Sequence, residues 1–145
     1  MAKKIENILL LVKGSEEAFR AASVAIEIAS ALSARIIALN VISPKVIKVM
    51  VKLLKKSESE AYVELSEDGW KYLYAIEEEV KDKGLKIILE QEEGNLEKTV
   101  IDFARKYSVD MVVVGRETKK RSALQPPHKL LSMVLDYLSV PVLIV

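Results

Sequence analysis

Short apolar runs alternate with longer amphipathic segments along the chain, and this alternation constrains the fold more than any other feature. Runs so short and so continuously apolar are typical of strands that are covered on both faces. Because the segments between them have helical periodicity, we predict an α/β fold, a doubly wound five-stranded parallel sheet with helices on both faces. The predicted strands are Ile8–Val12, Arg35–Ile42, Leu85–Leu89, Met111–Val114 and Val140–Val145.

The segments between the runs begin on residues that favour helix starts. Ser15 is a good N-cap followed by two glutamates, and Ser57 with Glu60 matches a capping box. The predicted helices begin after Ser15, cover Pro44–Lys56, run from Ser57 to about Lys83, and cover Leu96–Tyr107 and Leu130–Leu138. Helical spacing predicts the inner face of the first helix as Phe19, Ala22, Ile26, Ala29 and Ser33, and that of the third as Leu65, Gly69, Tyr72, Ile76 and Val80.

Size and charge narrow the class of protein. A chain of 145 residues predicts a single domain over residues 1–145. Its net charge of +1 argues against nucleic acid as a partner. No apolar run is long enough to span a membrane. The start MAKKIENILLLV is not followed by a small-residue cleavage site, so we interpret it as a first strand and expect a cytoplasmic protein.

Catalytic and metal-binding patterns are missing from the sequence. The chain has no cysteine, which excludes disulfides, thiolate catalysis and cysteine-based zinc sites. His128 is the single histidine, whereas a catalytic triad needs a histidine beside a placed nucleophile and an acid. Neither GxxxxGK nor GxGxxG occurs. We therefore expect no metal site, no catalytic residue and no enzymatic activity, with weak ATP hydrolysis left open.

The predicted topology indicates where a ligand would bind. In open parallel sheets, ligands occupy the crevice beyond the carboxyl ends of the strands, at the point where the strand order reverses. Three loops lie at that edge, namely Lys13–Ser15, Val41–Pro44 and Gly115–Lys129.

These pieces resemble, in order and distance, those of the universal stress protein family. NILLLVKGSEEA and LNVISP look like its first strand with the following turn and the end of its second strand. EEGNLEKTVIDFARKYSVDMVVVG and LLSMVLDYLSVPVLIV look like its third helix with the flanking strands and its last helix and strand. The resemblance covers essentially the whole chain. It implies a stress-response protein with a Rossmann-like fold of the adenine nucleotide alpha hydrolase type, and a homodimer formed through the last strand, Val140 to Val145.

The ATP-binding branch of that family has an Asp before its first Gly-Ser turn and a Gly-x-x-Gly pattern followed by Gly-Ser/Thr, which holds phosphates. Val41 and Gly115 match the adenine contact and the first glycine. The Asp position is Lys13, and the remaining motif positions are Thr118, His128 and Lys129. A Cβ at a former glycine obstructs the approach of phosphate to the backbone. The resemblance therefore implies a divergent member without tight ATP binding, and we expect no cofactor.

Basic side chains offer a different way to hold an anion. The loop after the fourth strand carries five cations, offset by Glu117, namely Arg116, Lys119, Lys120, Arg121 and Lys129. The plainer interpretation is a solvated basic loop. If ATP, another nucleotide or an anion binds, the candidate contacts are Lys13, Gly14, Val41, Gly115, Arg116, Arg121 and Lys129.

Two helical surfaces and one strand are candidates for contacts with partners. The second predicted helix carries a lysine stripe that fits solvent, an anionic membrane surface or an acidic partner, formed by Lys45, Lys48, Lys52 and Lys55. Trp70 and Tyr74 lie off the predicted inner face of the next helix and suit a protein interface. The uncharged last strand VPVLIV would present an edge that a second copy can pair with.

Three hypotheses follow from these features. The first is a non-enzymatic, dimeric stress-response protein that acts by binding an unidentified protein partner and does not bind ATP tightly. The second retains a nucleotide or another anion in a rebuilt basic site. The third is a peripheral accessory of a membrane transporter, which the resemblance suggests.

Overall fold

A computed structural model describes residues 4–116 and 129–145, except for the side chains of Lys129 and Leu131. Within these ranges the helices and strands alternate as the sequence predicts. In chain order they are β1 (Asn7–Leu11), α1 (Glu16–Leu32), β2 (Arg35–Ile42), α2 (Pro44–Leu54), α3 (Glu58–Asp82), β3 (Ile87–Glu93), α4 (Leu96–Lys106), β4 (Met111–Val114), α5 (Lys129–Tyr137) and β5 (Val142–Ile144).

All five strands pair in parallel, in the order β3-β2-β1-β4-β5. This confirms the predicted fold class. The chain runs outward from β1 to β3, then returns to the other side of β1 for β4 and β5, so the strand order reverses between β1 and β4. The carboxyl ends of those two strands therefore flank the crevice where this class of fold binds ligands.

The central strand β1 is buried on both faces, as a continuously apolar strand requires. Ile8 and Leu10 pack with residues of α1 and α3 in one core cluster. Leu9 and Leu11 point the opposite way and pack with residues of α4 and α5 in a second cluster. Burying one such side chain contributes about 1.5–3 kcal/mol, so the two clusters hold helices on both faces of the sheet.

The inner face of helix α1 is confirmed in part, because Ala22, Ile26 and Ala29 are buried as predicted and Phe19 and Ser33 are not. Its buried residues are Ala18, Ala21, Ala22, Ala25, Ile26 and Ala29. Phe19 is exposed, and Ser33 lies beyond the helix as a C-cap in the left-handed region, with φ of 54°. The prediction of Phe19 and Ser33 as inner residues was wrong because small alanines allow the helix to approach the sheet closely, and that contact determines which face turns inward.

In α3, Gly69, Ile76 and Val80 are buried as predicted. Leu65 and Tyr72 are only half-buried, whereas Leu73, which the predicted stripe omits, is completely buried.

Strand β3 differs most from its prediction. It spans Ile87–Glu93 and not Leu85–Leu89, so four polar residues that the prediction left outside the strand form its second half. β3 is an edge strand, and an edge strand pairs through its backbone without needing a continuously apolar sequence. Apolar content therefore marks the buried strands β2 and β4, whose bounds are as predicted, but not this one.

Candidate functional site

The turn after β1 and the end of β4 meet at the predicted crevice. Ser15 caps α1, because its side chain accepts a hydrogen bond from the backbone N–H of Ala18 at 3.2 Å. A Cβ on Gly115 would lie 2.7 Å from the carbonyl carbon of Glu17 and 2.8 Å from the nitrogen of Ala18. Gly115 thus lets the end of β4 contact the first turn of α1 directly, and no larger residue fits there without a backbone shift.

The sheet register brings Lys13 and Val41 to the same edge. Leu11 of β1 lies opposite Leu39 of β2, and the N–H of Val12 donates to the carbonyl of Leu39 at 2.8 Å. Continuing this register by two residues along each strand places Lys13 alongside Val41. The Lys13 side chain is exposed and Val41 is half-buried against the cluster on the α4 and α5 face.

Arg116 lies on the other side of Gly115. Its N–H donates to the carbonyl of Val145 at 2.7 Å, which extends the pairing of the β4 end with the β5 end, and its side chain is exposed. The structure thus gathers Lys13, Gly14, Val41 and Gly115 around the exit of β1, with Arg116 one residue away. The remaining predicted contacts, Arg121 and the side chain of Lys129, lie outside the described residues, as do Thr118 and His128.

Negative charge already occupies the end of α1 that faces this crevice. The N-terminus of a helix attracts anions through its free N–H groups and its dipole. Here Glu16 and Glu17 are in the first turn, and the hydroxyl of Ser15 takes one of the N–H groups. A phosphate at this helix start would be repelled by both carboxylates, so Lys13 and Arg116 remain as the cations in the described part of the crevice.

Tyr72 of α3 packs over the turn after β1. A Cβ on Gly14 would lie 2.5 Å from the Tyr72 hydroxyl oxygen, so the phenol already rests against this glycine. The ring of Tyr72 also meets that of Phe19 edge-on, with centroids 5.8 Å apart. This aromatic pair covers the α1 and α3 side of the β1 exit, and the sequence analysis did not assign it to the site.

A buried polar network joins the carboxyl ends of β1, β2 and β3. The Asn40 amide donates to the carbonyl of Val12 at 3.0 Å and accepts from Gln91 Nε2 at 3.2 Å. Gln91 also donates to the carbonyl of Ser66 at 3.0 Å, and the Ser66 hydroxyl donates to Gln91 Oε1 at 2.8 Å. Since these amide groups are hydrogen-bonded to one another and to backbone, the network fixes the geometry of the edge and is not an open binding site.

Sequence reasoning missed this network, although two signals were present. Asn40 interrupts an otherwise apolar strand, and Gly69 lies on the inner face of a long helix. Asn40 and Gln91 are directly paired in the register of β2 and β3. A Cβ on Gly69 would lie 2.1 Å from Asn40 Oδ1, so the glycine makes room for the amide.

A second polar cluster ties the edge strand β3 to α4. The Tyr107 hydroxyl donates to Glu90 Oε2, and Lys106 Nζ lies 3.4 Å from the same oxygen. The hydrogen bond to Glu90 and then burial raise the pKa of Tyr107. The hydrogen bond to Glu90 and the charge of that carboxylate also raise the pKa of Lys106. Arg35 stacks over the Tyr107 ring, 5.9 Å from its centroid.

The described part of the chain has neither a candidate metal site nor a helix that could span a membrane. Residues 4–116 and 129–145 contain no group of three His, Asp or Glu side chains arranged to hold a metal ion. In the same ranges, each helix is too short or too polar to cross a bilayer.

A family profile and solved structures both relate the chain to known proteins. The profile of the Universal stress protein family matches residues 4–145. No curated protein sequence matches the chain. The solved structure of a universal stress protein family member from Burkholderia pseudomallei is similar with a TM-score of 0.76 and 18% identity, over 100% of this chain and 98% of that one.

Two further similar structures contain nucleotides. A universal stress protein in complex with cAMP has a TM-score of 0.67 and 17% identity, over 99% of this chain and 98% of that one. A family protein from Arabidopsis thaliana with AMP bound has a TM-score of 0.61 and 15% identity, over 97% of this chain and 90% of that one. At these identities the likeness shows a shared fold.

Proposed function

The chain belongs to the universal stress protein family, and from this premise we propose that it is a non-enzymatic stress-response protein that acts as a homodimer, by binding partners, without tight ATP binding. Family membership supports the role in stress response. Two further parts of the proposal, the loss of tight ATP binding and the action through partners, are argued from the chemistry of the crevice and of the surfaces around it.

The turn after β1 carries this proposal. Where the ATP-binding branch of the family has an Asp beside the adenosine, this chain has an exposed Lys13. The neighbouring start of α1 holds Glu16 and Glu17, which oppose a phosphate, and Tyr72 covers Gly14. The charge at the position of the adenosine contact is thus reversed relative to that branch, and the first turn of α1 opposes a phosphate, which together support the loss of tight ATP binding.

The edge of the sheet supports the homodimer. β5 lies at one end of the strand order. The N–H of Val145 donates to the carbonyl of Val114 at 3.0 Å, and its carbonyl accepts from the N–H of Arg116 at 2.7 Å, so both groups point toward β4. Backbone groups alternate in direction along a strand, so Val142 and Ile144 direct theirs to the open edge. A second copy related by two-fold symmetry would satisfy those groups and cover the half-buried apolar side chains.

Native mass spectrometry of protein purified without added nucleotide tests the proposal in one experiment. We expect the mass of two chains and nothing more. A mass increment equal to a nucleotide would contradict the loss of tight binding. The mass of a single chain at micromolar concentration would contradict the homodimer.

A nucleotide or another anion remains a second candidate ligand, because two similar structures contain cAMP and AMP. Lys13 and Arg116 would then provide the charge, with Gly14, Val41 and Gly115 as neighbours of the ligand. Under this alternative, Lys13→Ala weakens binding of AMP or cAMP, and Arg116→Ala combined with Arg121→Ala weakens it further. Lys86→Ala is the matched control, since Lys86 is exposed just before β3, at the amino end of the sheet. Equal binding by all variants would exclude this candidate.

A further inference from the structure

Helix α2 rests on the rest of the molecule through one narrow face. Its buried residues are Ile47 and Met50, which pack with Ile42 and Ala61 in a small cluster separate from the two main ones. An eleven-residue helix is about 16 Å long, so most of its surface lies open to solvent.

The open surface of α2 carries an aliphatic stripe. Val46, Val49 and Leu53 are spaced three and four residues apart and so share one face. Their side chains are 44%, 52% and 70% exposed. In the single chain, each of these three residues keeps a large part of its apolar surface in solvent.

A stripe of lysines runs beside the aliphatic one. Each stripe residue follows a lysine in sequence, in the pairs Lys45 and Val46, Lys48 and Val49, and Lys52 and Leu53. Successive residues of a helix are rotated by about 100°, so the lysine face lies next to the aliphatic face along the whole helix. All three lysines are exposed, and α2 contains no acidic residue.

Acidic residues near α2 lie beside one member of its lysine stripe, Lys48, and none of the three aliphatic stripe residues lines the groove that they form. Glu58 and Glu93 line a groove of about 500 Å³ together with Pro44, Ile47 and Lys48 of α2. Glu64 pairs with Lys56 at 2.7 Å, beyond the end of the helix. Lys45 and Lys52 do not line this groove. They give the surface beside the aliphatic stripe a local positive charge, although the whole chain has a net charge of only +1.

We propose that α2 binds the surface of an anionic lipid bilayer, with Val46, Val49 and Leu53 inserted at the level of the headgroups and the lysines on lipid phosphates. An aliphatic face flanked by lysines is the pattern of helices that lie in the membrane interface. Lysine stems can follow apolar surface while their ammonium groups reach the phosphates. The charge of α2 suits this occupant, because its lysines are exposed and the helix contains no acidic residue that would repel lipid phosphates.

Co-sedimentation with vesicles tests this proposal. The full chain is mixed with vesicles of phosphatidylcholine and phosphatidylglycerol, and separately with vesicles of phosphatidylcholine alone. We expect sedimentation with the anionic vesicles only, and a decrease as salt increases, because salt screens the lysines. Absence of sedimentation with anionic vesicles at low salt would overturn the proposal.

Matched variants separate insertion from simple charge attraction. Leu53→Ser should lower the affinity for anionic vesicles about tenfold. Transfer of a leucine side chain from water into the apolar part of the interface changes an affinity by at least this factor. Leu135→Ser, at a position 61% exposed on α5, should leave it unchanged. Lys48→Glu combined with Lys52→Glu should remove the preference for anionic vesicles. Equal losses for Leu53→Ser and Leu135→Ser would overturn the proposal.

A contact between two copies of the chain is the alternative occupant of this face. Sedimentation equilibrium without vesicles distinguishes it. If Leu53→Ser shifts the self-association of the protein and vesicles bind neither form, the face is an interface between copies and the lipid proposal is overturned.

Discussion

Gly115 lies where a side chain has no room. The glycine matches a motif position of the nucleotide-binding members of the family, yet its surroundings here give it a packing role, because the backbone of Glu17 and Ala18 fills the space that a Cβ would take. At the residue scale, a matching glycine is therefore insufficient evidence for a phosphate site.

Gly115→Ala should destabilise the fold by about 1–3 kcal/mol, as overpacking against backbone does. Gly14→Ala is the matched comparison, because its Cβ would meet only the end of the Tyr72 side chain, which can rotate away. Urea denaturation of both variants measures the difference. Similar losses in the free energy of unfolding at the two positions would contradict the packing role of Gly115.

We expect Tyr107 to make a pH-dependent contribution to the free energy of unfolding. Its pKa is raised above the ordinary value of about 10, mainly by the hydrogen bond to Glu90. A raised pKa in the folded state means that the contribution is complete below about pH 10 and is lost as the pH rises through the raised value.

The variant Tyr107→Phe should therefore lose less stability than the unmodified protein on going from about pH 8 to about pH 11. Denaturation in urea at the two pH values measures this. Tyr62→Phe serves as the control, because Tyr62 is exposed and has a similar hydroxyl. A parallel loss of stability in Tyr107→Phe and in the unmodified chain would show that Glu90 contributes nothing through this bond.

At the scale of elements, prediction from sequence succeeded where burial dictates composition. Strands β2 and β4 are buried and apolar, and their bounds were predicted correctly. The capping box of Ser57 and Glu60 is formed in α3. β3 was misplaced because its polar second half is recognisable as a strand only once its pairing with β2 is known. In α1, Phe19 and Ser33 were misassigned to the inner face for a similar reason, since alanine packing depends on the tertiary contact.

The candidate site was predicted only in part, for the same physical reason. The position of the loops at the carboxyl ends of the strands was predictable, because the alternation of apolar runs and helical segments in the sequence indicates a parallel sheet. The roles of Tyr72 and of the Asn40 and Gln91 pair depend on contacts between residues far apart in the chain. Periodicity along one segment carries no information on such contacts.

The polar network makes a prediction about α3. In an exposed helix, Gly→Ala stabilises by up to about 1 kcal/mol, but Gly69→Ala should destabilise by about 1–3 kcal/mol because the new methyl group displaces the Asn40 amide. Combining it with Asn40→Ala should give less than the sum of the single effects, since the clash is then removed. Additive effects in chemical denaturation would contradict this contact.

At the scale of the whole molecule, the open edge of β5 predicts how two copies assemble. Ile144→Pro removes an N–H that faces the open edge and leaves the hydrogen bonds of Val145 to β4 in place. We expect this variant to be a folded monomer, whereas Ile144→Ala, which keeps the N–H, remains a dimer. Analytical ultracentrifugation together with circular dichroism checks both. A dimeric Ile144→Pro would contradict assembly through this edge.

Isothermal titration of nucleotide-free protein with Mg-ATP tests whether the crevice between β1 and β4 binds ATP tightly. Because Lys13 lies where the ATP-binding branch of the family has an acid, and Glu16 and Glu17 lie in the first turn of α1, we predict no measurable binding even at millimolar ATP. Micromolar affinity that Lys13→Ala weakens and Lys86→Ala does not would contradict this prediction, and would show that basic side chains have rebuilt the site.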